Sequence, residues 1–423
     1  MHIKLAYGRQ GLPIDLPHDA PATVIQPTAV PGLPDEPAAL RAALRDPIGT
    51  PPLAALVQPG DSVAVVFSDL TRPMPNDRVL PVLLHELARA GVPREQIVLI
   101  NGLGTHRAQT PDELRRMLGD AIVDRYRIAQ HDAWDDANLV PVGRNRAGRP
   151  VGLNRAYVEA SCRILTGFVE PHLFAGFSGG PKAVLPGIAG IEAILDNHGP
   201  AMIADPRATW AVTDGNPIWE EMLSIAQGSM PAFLLNVTLN EERRITGGFA
   251  GDLLAAHRRA TAFVRQTAVR PVPGPFDLVI TSNSGYPLDL NLYQAVKGMS
   301  AAAQIVRPGG DILVAAECWD GIPDHGEYKR LLWDAGSPAE LLERVMAPGF
   351  RCHDMWEVQL QAQVQQKARV HVYAGGLSDE DLRRAHVTPC RSVEETVAAV
   401  RRAKPAATIA VLLSDPLDAP LTV

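Results

Sequence analysis

The sequence predicts an α/β protein made of two mixed α/β domains, a larger N-terminal one and a smaller C-terminal one, with the functional site in the cleft between them. Three observations carry this expectation. Short, almost purely apolar runs recur and are followed by helical stretches, the pattern of strands buried on both faces of a mostly parallel sheet. Three of these runs pass straight into loops bearing charged or imidazole side chains. A proline-rich segment, Pro271-Val272-Pro273-Gly274-Pro275, then interrupts the chain, and the strand–helix pattern restarts. The expected division is residues 1–270 and 271–423.

His2 to Tyr7 and Ala22 to Ile25 read as strands joined by a proline-rich turn, and Glu36 to Leu44 reads as a helix. Ser62 to Phe67 is a buried strand ending at Ser68-Asp69-Leu70-Thr71-Arg72-Pro73. Val79 to Ala90 carries an apolar stripe at Val82, Leu83, Leu87 and Ala90 and is closed by Gly91, which marks a helix. A second buried strand, Ile97 to Ile100, runs into Asn101-Gly102-Leu103-Gly104-Thr105-His106-Arg107. Thr110-Pro111-Asp112-Glu113 is a helix start, with a hydroxyl cap, proline at the first position and acids in the first turn. Cys162 to Gly167 is the third such strand, and Ile188 to Asp196 starts a helix. Phe233 to Leu239 is another strand, followed by Gly247-Gly248-Phe249-Ala250-Gly251-Asp252 and a helix to about Phe263. Beyond the linker come strand Leu278 to Thr281, helix Leu290 to Val306, turn Pro308-Gly309-Gly310 and strand Ile312 to Ala316. Helix Pro338 to Val345, strand Val370 to Ala374, helix Val393 to Ala403 and strand Thr408 to Leu413 complete the pattern.

Between the third strand and its helix lies FVEPHLFAGFSGGPKAVLPGIAGIEAILDNH, from Phe168 to His198. Glycines and prolines crowd around His172, Lys182 and His198, the mark of a fixed loop whose backbone approaches a ligand closely. If the three strands are parallel neighbours, Asp69 and Arg72, His106, and His172 with Lys182 converge on one sheet edge.

Composition narrows the class. A net charge of −7 gives no electrostatic case for nucleic acid or an anionic membrane. No apolar run reaches the roughly 18 residues of a membrane span, and MHIKLAYGRQG has no signal-peptide core. Cys162, Cys318, Cys352 and Cys390 are far apart and form no CxxC pair, so a reducing, cytoplasmic setting is expected.

Taken singly, the candidate residues have ordinary explanations. His172 alone is a loop histidine, His198 near a helix end would satisfy terminal carbonyls, Arg72 would pair with Asp69 in a turn, and Lys297 on a helix would be solvated. Gly176 to Lys182 is not a phosphate loop, because Pro181 stands at the second glycine and Ala183 at the magnesium-binding hydroxyl. Gly102-Leu103-Gly104 lacks the third glycine of a dinucleotide fingerprint. Glu317, Asp320, Asp324, His325 and Glu327 read as a solvated acidic loop.

Together, however, Asp69-Leu70-Thr71-Arg72-Pro73, Gly104-Thr105-His106-Arg107, Glu170-Pro171-His172, Ser178-Gly179-Gly180-Pro181-Lys182, His198 and Gln294-Ala295-Val296-Lys297 resemble, in order, the motifs of the nickel-dependent lactate racemase family. The resemblance implies a racemase or epimerase of a 2-hydroxy acid such as lactate or malate. It implies a nickel-pincer nucleotide attached covalently to Lys182, with His198 as nickel ligand. His106 and His172 would be the acid/base pair, and Arg72, Gln294 and Lys297 would hold the substrate carboxylate. Asp69, Leu70, Thr71, Arg72, Ser178, Gly179 and Gly180 would hold the nucleotide. The N-terminal domain would thus carry the cofactor and the C-terminal domain substrate-binding residues. The partners implied are the small acid and the machinery that makes the cofactor and inserts nickel. Two other readings of the residues stay open: a metal-dependent hydrolase or lyase with His106, His172 and His198 as direct ligands, and a non-catalytic nucleotide or cofactor carrier. The side-chain pocket is left to Tyr293, Tyr286, Trp319 and Trp356 as candidates.

Overall fold

The computed structural model describes residues 1–17, 22–228, 232–272, 274–324, 326–413 and 419–422. Pro273 of the linker and His325 of the acidic loop lie outside them. Among the described residues, two six-stranded sheets form the frame. Across the first, the order is Ile245–Asp252, Phe233–Leu239, Cys162–Phe168, Val63–Ser68, Ile97–Gly102 and Arg127–Gln130. Neighbours run parallel except for the Ile245–Asp252 and Phe233–Leu239 pair. Val63 to Phe67 are fully buried, as a strand covered by helices on both faces must be.

This topology locates the site. Cys162–Phe168, Val63–Ser68 and Ile97–Gly102 are adjacent and parallel, so the loops that follow them leave from one edge. The second sheet runs Thr388–Pro389, Arg369–Tyr373, Val306–Ala315, Phe276–Ser282, Ile409–Leu412 and Ala22–Ile25, parallel throughout. After Phe276–Ser282 the chain enters helix Leu292–Ala303, capped by the Asn291 side chain on the Gln294 amide at 3.1 Å. Gln294 and Lys297 ride on that helix. No helix among the described residues is long and apolar enough to cross a membrane.

The second sheet corrects one part of the expected division. Ala22–Ile25 pairs with Ile409–Leu412, not with the first sheet. The hairpin of His2–Leu5 and Leu12–Asp15 buries Ile3, Leu5 and Ile14 against Leu278, Ile280 and Leu313. Alternation identifies a strand but not its partner, and here the partner is near the far end of the chain. The chain therefore crosses between sheets twice, and the two crossings are bonded to each other, Thr28 N–H donating to Thr267 O at 2.9 Å.

Three local readings also change. Gly247 to Asp252 form most of an antiparallel edge strand, where Gly251 (φ +131°) lets Ile48 backbone pass so close that a Cβ would sit 2.2 Å from its carbonyl oxygen. Pro308-Gly309-Gly310 lies inside Val306–Ala315 as an irregularity in the register. Helix Met355–Lys367 has no counterpart in the sequence reading. It is buried on nearly every side, and its glutamines stand among apolar residues, so no stripe betrays it.

Helix Leu292–Ala303 lies hard against its own strand through Gly298, where a Cβ would meet Ser282 O at 2.5 Å. Gly298→Ala must therefore push this helix, with Lys297 next to it, away from the strand. A loss of about 1–3 kcal/mol in urea-unfolding stability is expected.

Candidate active site

The loops from the first sheet and the start of helix Leu292–Ala303 enclose one cavity between the domains. Asp69, Arg72, His106 and His172 line it from the first domain, with Ser178, Gly179, Lys182 and His198. Gln294 and Lys297 line it from the second. Of the other expected nucleotide-holding residues, Gly180 and Leu70 do not reach this cavity, and Thr71 faces a small recess beside it.

Asp69 and His106 form a dyad. The Asp69 carboxylate, 2% exposed, lies 2.6 Å from His106 Nδ1 and accepts the Thr71 hydroxyl at 2.9 Å. Burial alone would raise the Asp69 pKa, but His106, Arg72 and Thr71 outweigh it and hold the carboxyl below its usual range. An ionised acceptor at Nδ1 fixes the proton there and turns the Nε2 lone pair outward. The Asp69 carboxylate thus meets an imidazole and a hydroxyl. Arg72 closes the expected turn through its backbone N–H, which donates to Asp69 O at 3.2 Å, but its guanidinium makes no ion pair with the carboxylate. Among the described residues no ion-pair partner meets the Arg72 guanidinium, which stands in the cleft available to an anion.

His172 is held differently. Its Nδ1 accepts backbone N–H groups of Ala175 (3.3 Å) and Phe174 (3.5 Å), which puts the ring proton on Nε2. Burial first, then Lys182, Arg72, Lys297 and His198, hold its pKa well below the ordinary value. The Phe174 ring stands between His172 and His198, at centroid distances of 4.6 and 4.9 Å. On its other side His198 meets the edge of Trp356 at 5.4 Å. His198 is neutral for the same reasons, burial and then Lys182, and its buried Nδ1 has no hydrogen-bond partner among the described residues. Nor do His106, His172 and His198 meet at a common point: among the described residues no group of three or more His, Cys, Asp or Glu is arranged to hold a metal.

Lys182 projects from a loop braced on all sides. The Ser178 hydroxyl donates to Phe168 O and accepts from the Glu170 amide, both at 2.9 Å. Asn236 Oδ1 accepts the Gly180 amide at 2.9 Å, and His257 Nε2 donates to Ser178 O at 2.9 Å. Gly179 (φ +72°) is forced: a Cβ there would lie 2.6 Å from Asn236 Oδ1. Desolvation, Arg72 and Lys297 bring the Lys182 amine down to about 7.

Sequence reasoning missed two acids. Glu170 and Glu357 line the same cavity, and burial pushes them up to about 7 and about 8, against the pull of Lys297 and Arg72. Glu170 was visible beside His172; Glu357 sits in the unread helix. Tyr293 and Trp356 also line the site, the indole donating to the phenol at 3.0 Å. Tyr286 and half-exposed Trp319 face each other at 6.1 Å and do not line this cavity.

Comparison with known proteins agrees along the chain. Residues 7–211 match the family described as lactate racemase N-terminal domain, and residues 273–417 match lactate racemase C-terminal domain. A lactate racemase of Thermoanaerobacterium thermosaccharolyticum is 34% identical over 401 residues, covering 94% of this chain and 93% of that one. A lactate racemase of Lactiplantibacillus plantarum is 36% identical over 358 residues, 84% of each. The lactate racemase apoprotein structure from Thermoanaerobacterium thermosaccharolyticum superposes with a TM-score of 0.92 at 31% identity and covers both chains fully. A Thermotoga maritima protein shares the fold at TM-score 0.70 and 18% identity, over 91% of this chain and 97% of that one.

An amine with a depressed pKa is a free base above that pKa. Acetylation of Lys182 by acetic anhydride, followed by peptide mass mapping, is therefore expected to rise through about pH 7; an ordinary exposed lysine rises near 10.4.

Proposed function

We propose, from the premise that the chain belongs to the lactate racemase family and is therefore an isomerase, that it interconverts the two hands of lactate or a related 2-hydroxy acid by reversible hydride transfer. The cofactor in this reading is a nickel-pincer nucleotide carried on Lys182. The observation that carries it is the pairing of a Lys182 amine whose pKa is brought down to about 7 with a buried, unpartnered ring nitrogen at His198 in one cavity. A neutral amine is the nucleophile an acyl-type attachment needs. A neutral imidazole suits nickel, so His198 would hold it.

When bound, this cofactor supplies a reversible hydride acceptor, the chemistry no side chain here provides. The chain's own residues do the rest. Arg72, with Lys297 and Gln294, holds the carboxylate while the planar 2-oxo acid turns within the site. His106 accepts the hydroxyl proton at Nε2, and Asp69 stabilises the imidazolium that results. His172 turns an Nε2–H to the cleft, so a second proton would have to go to Nδ1 after the ring leaves the Ala175 and Phe174 amides, and the positive charges around it also oppose this. Acylation of Lys182 removes one of them, and a bound carboxylate offsets Arg72 and Lys297. The loaded, substrate-bound site therefore opposes a charged His172 less than the apoprotein does. Tyr293 and Trp356 wall the same cavity and would bear on the substrate side chain, so discrimination among lactate, malate and larger acids rests on them. Loading of the cofactor calls for partners that make it and insert nickel.

The intact mass of denatured protein made together with the pincer-synthesis proteins should show a nucleotide-sized adduct on Lys182, absent from Lys182→Ala. Racemase activity from protein of unmodified mass would overturn this reading. In loaded enzyme, Asp69→Asn should keep the adduct and lose about 10²-fold or more in kcat in a chiral lactate assay.

A further inference from the structure

The helix that presents His198 is gripped by the opposite domain. Helix Ile191–Asn197 ends at His198, whose backbone N–H donates to Ile194 O at 2.8 Å, so the imidazole goes where the helix goes. Arg351, in the loop before helix Met355–Lys367, reaches across the cleft. Its guanidinium pairs with Asp196 and with Glu192 (2.8 Å) and donates to Glu192 O (3.3 Å). Asp196, 9% exposed, is fixed on its own side by Arg149 at 3.2 Å and Asn145 at 2.6 Å. Next to this pair an edge-to-face series of rings crosses the domain boundary twice. It runs from Trp134 to His353 (5.4 Å), to Trp356 (5.5 Å), to His198 (5.4 Å). Gln359 adds a bond to Pro200 O at 2.9 Å.

Elsewhere the domains meet through Trp210, whose indole N–H donates to Ser300 Oγ at 3.0 Å, and through the paired crossings at Thr28 and Thr267. Those contacts are uncharged hydrogen bonds. The Arg351 contact is ionic, only a quarter of its side chain is exposed, and it engages the one helix that ends in His198.

We propose that Arg351 is a positioning residue: by seating the second domain on helix Ile191–Asn197, it fixes the direction in which His198 faces the cleft. The catalytic arrangement is then complete only when the domains are closed, and opening loosens His198 together with the cleft. The significance given to His198 rests on the function proposed above; the latch itself does not. A bidentate guanidinium bridging two carboxylates is a task lysine performs poorly, because an ammonium is a point charge.

The test uses the full-length apoprotein first. In Arg351→Ala, small-angle scattering should give a larger radius of gyration. Amide exchange of residues 191–198 should quicken by roughly tenfold, the scale of an ordinary coupling between sites, while exchange in the strand Val63–Ser68 stays as in the parent. Arg351→Lys should fall between the two. In loaded enzyme, Arg351→Ala should keep the Lys182 adduct and lower kcat, because the chemistry waits on closure. Unchanged scattering and unchanged exchange at 191–198 in Arg351→Ala would overturn the latch, whatever the cofactor is. Faster exchange spread evenly over the first domain would also overturn it, showing a structural role alone. An opened variant with a parent that never carries an adduct would leave the latch standing and remove the proposed cofactor.

Discussion

Everything in the cleft depends on desolvated positive charge. Arg72, Lys182 and Lys297 face one cavity, and burial together with Arg72 and Lys297 makes the Lys182 amine harder to protonate. Glu170 and Glu357 offset this charge only in part, because the same burial drives them toward the neutral form. Such a site is short of negative charge at neutral pH. It is built to receive an anion, and a carboxylate is the smallest one that also presents an α-carbon to chemistry. Burial first, and then the same charges, hold the His172 and His198 pKa values well below the ordinary one.

The loop around Lys182 answers a second demand. A lysine held at a fixed point needs backbone that cannot drift, and the glycines supply close approach rather than looseness. Ser178, Asn236 and His257 spend their polar atoms on this loop. His257 is buried, and burial pushes it down to about 4, so its ring stays an uncharged brace across the working pH range.

Most of the frame could be read from the sequence because its signals are local. Buried strands such as Val63–Ser68 are apolar throughout, and Thr110 with Glu113 forms the capping box that their spacing suggests. The candidate site was legible in part because each strand ends in a polar loop, and parallel pairing carries those ends together. What escaped reading was non-local or masked. Ala22–Ile25 finds its partner across the length of the chain. Helix Met355–Lys367 has polar residues on its buried faces, so Glu357 and Trp356 could not be assigned to the cleft. Arg351 and Asp196 lie far apart in sequence, and neither stands in a motif. The nucleotide role of Asp69 comes only from the family resemblance, whereas geometry alone shows the imidazole it meets.

The placement of Ala22–Ile25 beside Ile409–Leu412 also bears on how the molecule is made. A ribosome adds about 5–20 residues per second, so an early strand waits roughly 20 to 80 s for its neighbour to be synthesised. During that time the first sheet can close on itself, since all its strands lie between residues 63 and 252. The second sheet cannot. Its outermost strand is in place only once Ile409–Leu412 has been made, which makes Ala22–Ile25 a late stitch drawn from a much earlier part of the chain.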